Sequence, residues 1–273
     1  MRIYSWNIFF RNGKLEQAFE FIKELDFDVL CLQEVPTEFL AKLQTLSAHV
    51  AFAPDVDRVY ADHVERNYLV ILSRHPIVSH SSFALELPEP PLRTRLVVKA
   101  MRIANWTRIA NRHGFYADIV MDGLDRPLRV FCLHLTLGHP EMRRREFEIA
   151  MREYDPLLPT IVCGDFNILD TPFVAPFNWL LGGSVSDAIR YQRERIAFEE
   201  RIATLGLINP LSGQRTHVIS RQLDHILISH HLPVTSAHVV SDRHGSDHYP
   251  IHVETEKAPN RVFKTTPVRA YVG

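Results

Sequence analysis

The sequence contains no run of about 18 consecutive apolar residues, so nothing in it reads as a membrane-spanning helix. Nor does it open with a basic segment and an apolar stretch of signal-peptide type; Met1 leads straight into Arg2-Ile3-Tyr4-Ser5-Trp6-Asn7, which reads as a strand. Cysteine is scarce. Cys31, Cys132 and Cys163 are odd in number, sit inside apolar runs and form no pair with zinc-site spacing, so buried reduced thiols and a cytoplasmic location are expected. An excess of one charge is also missing: 31 Lys and Arg stand against 32 Asp and Glu, for a net charge of −1 and a pI near 7.0. That argues against a protein that coats nucleic acid, which must neutralise many phosphates, but not against an enzyme that grips one or two. Repeats, low-complexity tracts and Gly/Ser linkers are absent as well. One catalytic domain over 1–254 with a tail over 255–273 is the expectation, the tail lacking clear periodicity.

What is present is the composition of an ordinary globular protein, 46% hydrophobic and 23% charged. Strand and helix signals alternate at first. Ile3–Ile8 reads as a strand, and Leu15, Ala18, Phe19, Ile22 and Leu25 recur at helical spacing. Asp28–Gln33 is an apolar run suited to a strand buried on both faces, and Pro36 opens a second helix carrying Phe39, Leu40, Leu43 and Leu46 inward. Strands are expected near Tyr68–Ser73, Ile77–Leu85, Leu96–Ile103, Phe115–Met121, Leu128–Leu135 and Thr160–Cys163. A helix is expected over Glu141–Tyr154, and further helical stretches near Pro172–Leu181 and Glu194–Leu205. The chain closes with strands Leu223–Ser229, Ser236–Val240 and Tyr249–Glu254. Apolar runs rather than clean alternation point to sheets covered on both faces, an α/β architecture of two packed sheets with helices outside.

Polar residues interrupt these apolar strands in a pattern. Asn7 ends the first strand and Gln33-Glu34 the second, and His134 lies in Phe131–Leu135. Gly164-Asp165-Phe166-Asn167 ends Thr160–Cys163, Asp224-His225 begins Ile226-Leu227-Ile228, and Ser246-Asp247-His248 precedes Tyr249-Pro250-Ile251. Charge at the rim of a buried strand costs several kcal/mol unless partners or a metal compensate, and six such placements are explained together if the strand ends converge. Glu34 offers a hard carboxylate and Asn7 a neutral carbonyl oxygen, a ligand set suited to Mg2+ or Mn2+. His248 can exchange a proton with water, Asp224 can hold its ring in the useful tautomer, and Asn167 and His134 can donate to a phosphoryl oxygen.

These motifs, together with Ile71-Leu72-Ser73-Arg74 and Pro76-Ile77, resemble the endonuclease/exonuclease/phosphatase superfamily in kind and in order, from residue 6 to residue 251. The resemblance implies a four-layer αββα sandwich, two packed mixed β-sheets flanked by helices, with a metal site at one end. It implies Glu34 as principal metal ligand with Asn7 nearby, His248 and Asp224 as the acid/base pair, and Asp165 and Asn167 positioning water and phosphate. Asp247 would orient the site or reach a metal. Of the two bases the family suggests, His248 is preferred here over Asp165. Phe9 stands where abasic-site endonucleases usually carry an acid or asparagine, and His134 where they usually carry tyrosine. His134 is closer to the branch of pancreatic-type deoxyribonuclease, neutral sphingomyelinase and tyrosyl-DNA phosphodiesterases. His225 replaces the family's usual aromatic, which leaves the local packing open.

Plainer readings exist for single residues. Asn7 alone is a strand-end residue, Glu34 an acid at a helix N-terminus, His134 a core histidine and Asp224 a turn residue. Arg143-Arg144-Arg145 reads first as a solvated helix face paired with Glu141, Glu146 and Glu148. Around Ile103–His113 basic and aromatic residues interleave, a loop able to stack a base or a hairpin with Trp106 packed under the sheet. Arg93 and Arg95 are candidate phosphate contacts. A metal-dependent phosphodiesterase acting on nucleic acid is the first expectation, the same chemistry on a phospholipid, inositol phosphate or other small phosphoester the second, and a binding protein with a retired site the third.

Overall fold

A computed structural model describes residues 1–60, 62–85, 91–102 and 108–256. In chain order the elements are β1 (Arg2–Asn7), α1 (Leu15–Glu24), β2 (Val29–Pro36), α2 (Thr37–Leu43), β3 (His49–Val59), β4 (Val64–Ser73), β5 (Ile77–Ala84) and α3 (Leu92–Arg102). There follow β6 (Arg108–Ala110), β7 (His113–Ile119), β8 (Leu128–His134), α4 (Pro140–Ala150) with a 3₁₀ turn (Met151–Glu153), and β9 (Thr160–Asp165). The chain continues through α5 (Ala175–Leu180), α6 (Val185–Ile189), α7 (Arg193–Thr204), β10 (Leu207–Ile208), β11 (Asp224–Ser229), β12 (Val234–Val239) and β13 (Ile251–Thr255). The strands form two mixed sheets, one in the order β12-β13-β1-β2-β4-β3-β6 and the other β10-β11-β9-β8-β7-β5.

Strand alternation explains why these sequences are apolar throughout. On β2, Val29 and Cys31 point between the sheets while Leu30 and Leu32 point out to α1 and α2, against Ala18, Ile22, Phe39 and Leu43. On the other sheet, Val130, Cys132, Ile161 and Cys163 face inward, and Phe131, Leu133 and Val162 pack outward against Phe147, Ala150 and Ile202 of α4 and α7. Each buried aliphatic or aromatic side chain contributes roughly 1.5–3 kcal/mol, so three stacked apolar layers specify the order helix, sheet, sheet, helix. The three cysteines are free and buried in the inter-sheet layer, as their apolar surroundings suggest.

Three expectations need correction. Residues 96–102 are not a strand but part of α3; Val97 bends the local propensity toward strand, yet Pro91 starts a helix and the Arg95 amide already bonds the Pro91 carbonyl at 3.0 Å. The strand β3 has no counterpart in the sequence reading because Pro54, Asp55 and Asp57 disguise it. The sheet accommodates Pro54 at a register shift against β4 between Pro54 and Val56. Pro36 closes β2 and caps α2 rather than opening the helix. Thr255 ends β13, and of the expected tail residues 257–273 lie outside those described, as does Trp106.

Two parallel pairs, β1 with β2 and β8 with β9, place Asn7 opposite Gln33 and His134 opposite Asp165. Gly164 makes the second of these possible. Its φ is +151°, and a Cβ there would lie 1.9 Å from the Leu133 carbonyl oxygen of β8, so no side chain fits ahead of Asp165. The chemistry-bearing residues thus collect where β1, β2, β8, β9 and β11 end or begin on one rim.

Candidate active site

Glu34 reaches the rim by a backbone irregularity. The register of β2 against β4 shifts between Leu32 and Val35, and Glu34 takes φ 56°, a left-handed conformation that costs an L-residue with a Cβ about 1–2 kcal/mol. Phe9 (φ 61°) and Asn167 (φ 51°) do the same, so three of the five non-glycine residues with positive φ among the described residues border this one site. The strain re-aims Glu34. One carboxylate oxygen accepts the Phe10 amide at 3.1 Å; the other lies 3.4 Å from Arg58 Nη2 and 3.7 Å from His134 Nε2.

Two imidazoles straddle Asp165. Its Oδ2 is 3.8 Å from His134 Nε2 and 3.6 Å from His248 Nε2, and accepts from Asn7 Nδ2 at 3.0 Å. Its Oδ1 accepts the Asn167 amide at 2.9 Å. Each imidazole rests on a fully buried carboxylate through Nδ1: His248 on Asp224 at 2.8 Å, His134 on Asp55 at 2.9 Å. The motifs also brace one another. Trp6 Nε1 donates to the His248 carbonyl at 3.2 Å, and the Ser246 hydroxyl donates to the Asn7 carbonyl at 2.7 Å while accepting the His248 amide at 3.0 Å. Asn167 Nδ2 gives one hydrogen to the Leu135 carbonyl at 2.9 Å, leaving one to offer.

Asp55, Arg58 and His217 are site residues that sequence reasoning passed over. Asp55 and Arg58 sit on β3 and were hidden with it by the Pro54 register shift. Arg58 lies over the Phe10 ring at 3.5 Å from its centroid and pairs with Glu34. His217 gave no signal; a backbone bridge sets it opposite His248, with its Nε2 3.6 Å from Asp247 Oδ2. Although His217, Asp247 and His248 cluster closely enough to hold an ion, His217 Nδ1 accepts the amides of Ile219 and Ser220 at 3.2 Å. The ring proton therefore sits on Nε2, which donates rather than ligates.

Arg93, by contrast, is drawn away. It donates to the Trp179 carbonyl at 3.1 Å and to the Gly183 carbonyl, joining α3 to the α5–α6 turn, and Arg95 lies exposed on the same helix. Arg144 and Arg145 pair with Glu141 on the helix surface as expected, but Arg143 is buried against Glu194 and Asn178. His225 fills the place of the usual aromatic by stacking on Phe166 at 4.7 Å. Its Nδ1 donates to the Leu223 carbonyl and Nε2 accepts from Arg195, and burial beside that guanidinium drives its pKa well below the ordinary value.

Burial opposes charge on both site imidazoles, but the surrounding carboxylates win. Asp55, Glu34 and Asp165 raise His134 to about 9, and Asp224, Asp165 and Asp247 raise His248 to about 10. Burial lifts Asp224 above the usual carboxylate range against the pull of His248, whereas at Asp55 the His134, Arg112 and Arg58 charges outweigh burial and lower it. Both histidines thus bind a proton more tightly folded than unfolded. Their stabilisation is complete below the unfolded value of 6.5 and is lost as pH rises through 9 to 10. In EDTA, the urea midpoint should fall over that window, and a His134→Asn/His248→Asn variant should lose most of the slope; an unchanged slope would contradict this electrostatic account.

The sequence matches a known family. A model of the Endonuclease/Exonuclease/phosphatase family covers residues 4–248. The chain belongs to this family. Its members are hydrolases of phosphoesters, and the two mixed sheets flanked by helices are the family's sandwich. An endonuclease/exonuclease/phosphatase from Beutenbergia cavernae DSM 12333 is similar in structure, with TM-score 0.68 and 18% identity over 94% of this chain and 71% of that one. An AP endonuclease from Archaeoglobus fulgidus (TM-score 0.60, 16% identity) and a mannosyl-6-phosphatase from Bacteroides thetaiotaomicron VPI-5482 (0.58, 16%) each cover 94% of this chain and 99% of their own. No curated protein sequence matches the chain. Within the family, such distant likenesses establish the fold and leave the substrate open. No helix among the described residues is long and apolar enough to cross a membrane.

Proposed function

We propose that this protein is a divalent-metal-dependent phosphodiesterase that directs water at phosphorus, with His248 as the base. The observation that carries the reading is the His248 imidazole, held at Nδ1 by buried Asp224 and presenting Nε2 beside Asp165 in a rim rich in carboxylates.

The donor set fits a divalent cation. Glu34, Asp55, Asp165, Asp224 and Asp247 supply five carboxylates against Arg58 and two imidazoles, a surplus of two negative charges even with both rings protonated. One Asp247 oxygen is also buried without a hydrogen-bond partner. Glu34 and Asn7, with Asp247 at the far side, would hold Mg2+ or Mn2+, which when bound polarises a phosphoryl oxygen as a Lewis acid.

With the surplus charge balanced, the field that keeps His248 protonated relaxes and Nε2 becomes a proton acceptor. It takes a proton from water, the water oxygen bonds to phosphorus in line, and the ester oxygen leaves with its electron pair. Asp165 is the less available base because Asn7 and Asn167 already occupy both its oxygens. It instead orients both imidazoles, while Asn167 and His134 donate to the phosphoryl oxygens as charge grows.

As to substrate, Arg93, one of the two arginines expected to contact phosphate, donates to backbone carbonyls, and residues 103–107 of the loop expected to stack a base lie outside those described. Within the alternative of a phospholipid, inositol phosphate or other small phosphoester, a phospholipid is favoured by a specific observation, the exposed apolar side chains of α3, α5 and α6. Hydrolysis of bis(p-nitrophenyl) phosphate in Mg2+ or Mn2+, abolished by EDTA and restored by the ion, is the expected result of a screen that also offers plasmid DNA, phospholipids and sugar phosphates. EDTA-resistant turnover, or no turnover of any phosphoester, would defeat the proposal.

A further inference from the structure

Beside the rim, α3, α5 and α6 leave large apolar side chains in solvent. Phe173, ahead of α5, is 88% exposed, Leu92 71%, Ile189 70%, Leu96 59% and Val185 58%. Single exposed leucines need no explanation; this many on three adjoining short helices do. The helices form one surface. Arg93 of α3 bonds the Trp179 and Gly183 carbonyls, its guanidinium lies 5.4 Å from the Trp179 ring, and Thr94 Oγ1 donates to the Leu180 carbonyl at 3.1 Å.

The described residues of these helices also carry more positive than negative charge. Among the described side chains, Arg93 and Lys99 of α3 and Arg190 at the end of α6 stand against Asp187, which is occupied in the Ser184 capping box. A chain of net charge −1 has thus gathered cations where it also exposes hydrocarbon. Nucleic acid would reward the cations but gives nothing for burying Leu92, Val185 or Ile189. A surface of acyl chains under anionic headgroups rewards both.

Its position suits the chemistry. The chain runs from Asp165 and Asn167 directly through Phe173 into α5, and Asn178 ties α5 back to the Leu169 carbonyl at 3.3 Å. A Cβ on Gly182 would lie 3.2 Å from both the His139 ring and Pro91, so the end of α5 abuts the segment leaving β8 after His134.

We propose that the α3–α5–α6 face docks on an anionic lipid surface and sets the catalytic rim against it. This deepens the phospholipid reading above and rests on it for its purpose, though the binding itself is measurable without turnover. The test is co-sedimentation of the full chain with phosphatidylcholine vesicles, with and without about 30 mol% phosphatidylserine. The wild type should partition at least tenfold better onto the anionic vesicles, less so as salt rises. Phe173→Ser/Ile189→Ser, both at exposed positions, should lose tenfold or more of that binding while hydrolysing bis(p-nitrophenyl) phosphate at the wild-type rate. Equal partition onto the two vesicles, or a variant that binds like wild type, would overturn the proposal. So would loss of duplex-DNA binding in the variant without vesicle binding by the wild type, or a wild-type dimer that the substitutions dissociate. Vesicle binding without any phosphoester turnover would sink the hydrolase reading and leave the docking face standing.

Discussion

Replacing His248 by alanine should lower turnover of a phosphodiester by 10²-fold or more, with KM changed far less. The expectation follows from position. The imidazole is buried, its Nδ1 is occupied by Asp224, and its Nε2 opens beside Asp165, whose oxygens already accept from Asn7 and Asn167, which makes His248 the proposed proton acceptor. Alanine also leaves Asp224 buried and unpaired, which costs about 3–5 kcal/mol. His248→Asn, whose amide N–H still faces Asp224, separates the two effects. It should show the same loss of rate at closer to native stability by urea unfolding. Full metal-dependent activity in either variant, with native circular dichroism, would show that His248 is not the base.

Glu34→Gln should abolish calorimetrically measurable binding of Mg2+ or Mn2+ at concentrations that saturate the wild type, and reduce hydrolysis by at least 10²-fold. Glutamine keeps the shape and still accepts the Phe10 amide, so the left-handed backbone at residue 34 loses no support. What disappears is one unit of charge, half of the surplus that makes the rim attractive to a divalent ion, and a hard oxygen with it. Arg58 would then face an amide in place of its carboxylate partner. Unaltered ion affinity in this variant would move the cation elsewhere, toward Asp247.

Much of the rim could be read from order alone. Asn7, Glu34, His134, Asp165, Asn167, Asp224, Asp247 and His248 stand out because each interrupts a strand whose neighbours are apolar, and the structure collects all eight on one rim; their roles remain the proposal made here. The layers were legible for the same reason, since runs such as Val29–Leu32 and Thr160–Cys163 must be covered on both faces. Asp55 and Arg58 were not legible because Pro54 breaks the strand pattern locally, and the sheet absorbs it in a bulge that no local propensity announces. His217 became a neighbour of His248 only through a bridge between segments 31 residues apart. Arg93 shows the converse error: a cation near the right motifs, claimed in the fold by two carbonyls.

By itself, then, the sequence determined the layer order and the identity of the polar residues at the strand ends, because burial on both faces tolerates no polar residue that lacks a purpose. Only the tertiary structure decided which carboxylate backs which imidazole, which cations stay with the site, and that three short helices present hydrocarbon and positive charge together. Those are relations between distant segments. They depend on register, bulges and helix packing, whose energies are shared over many residues and written in none of them singly.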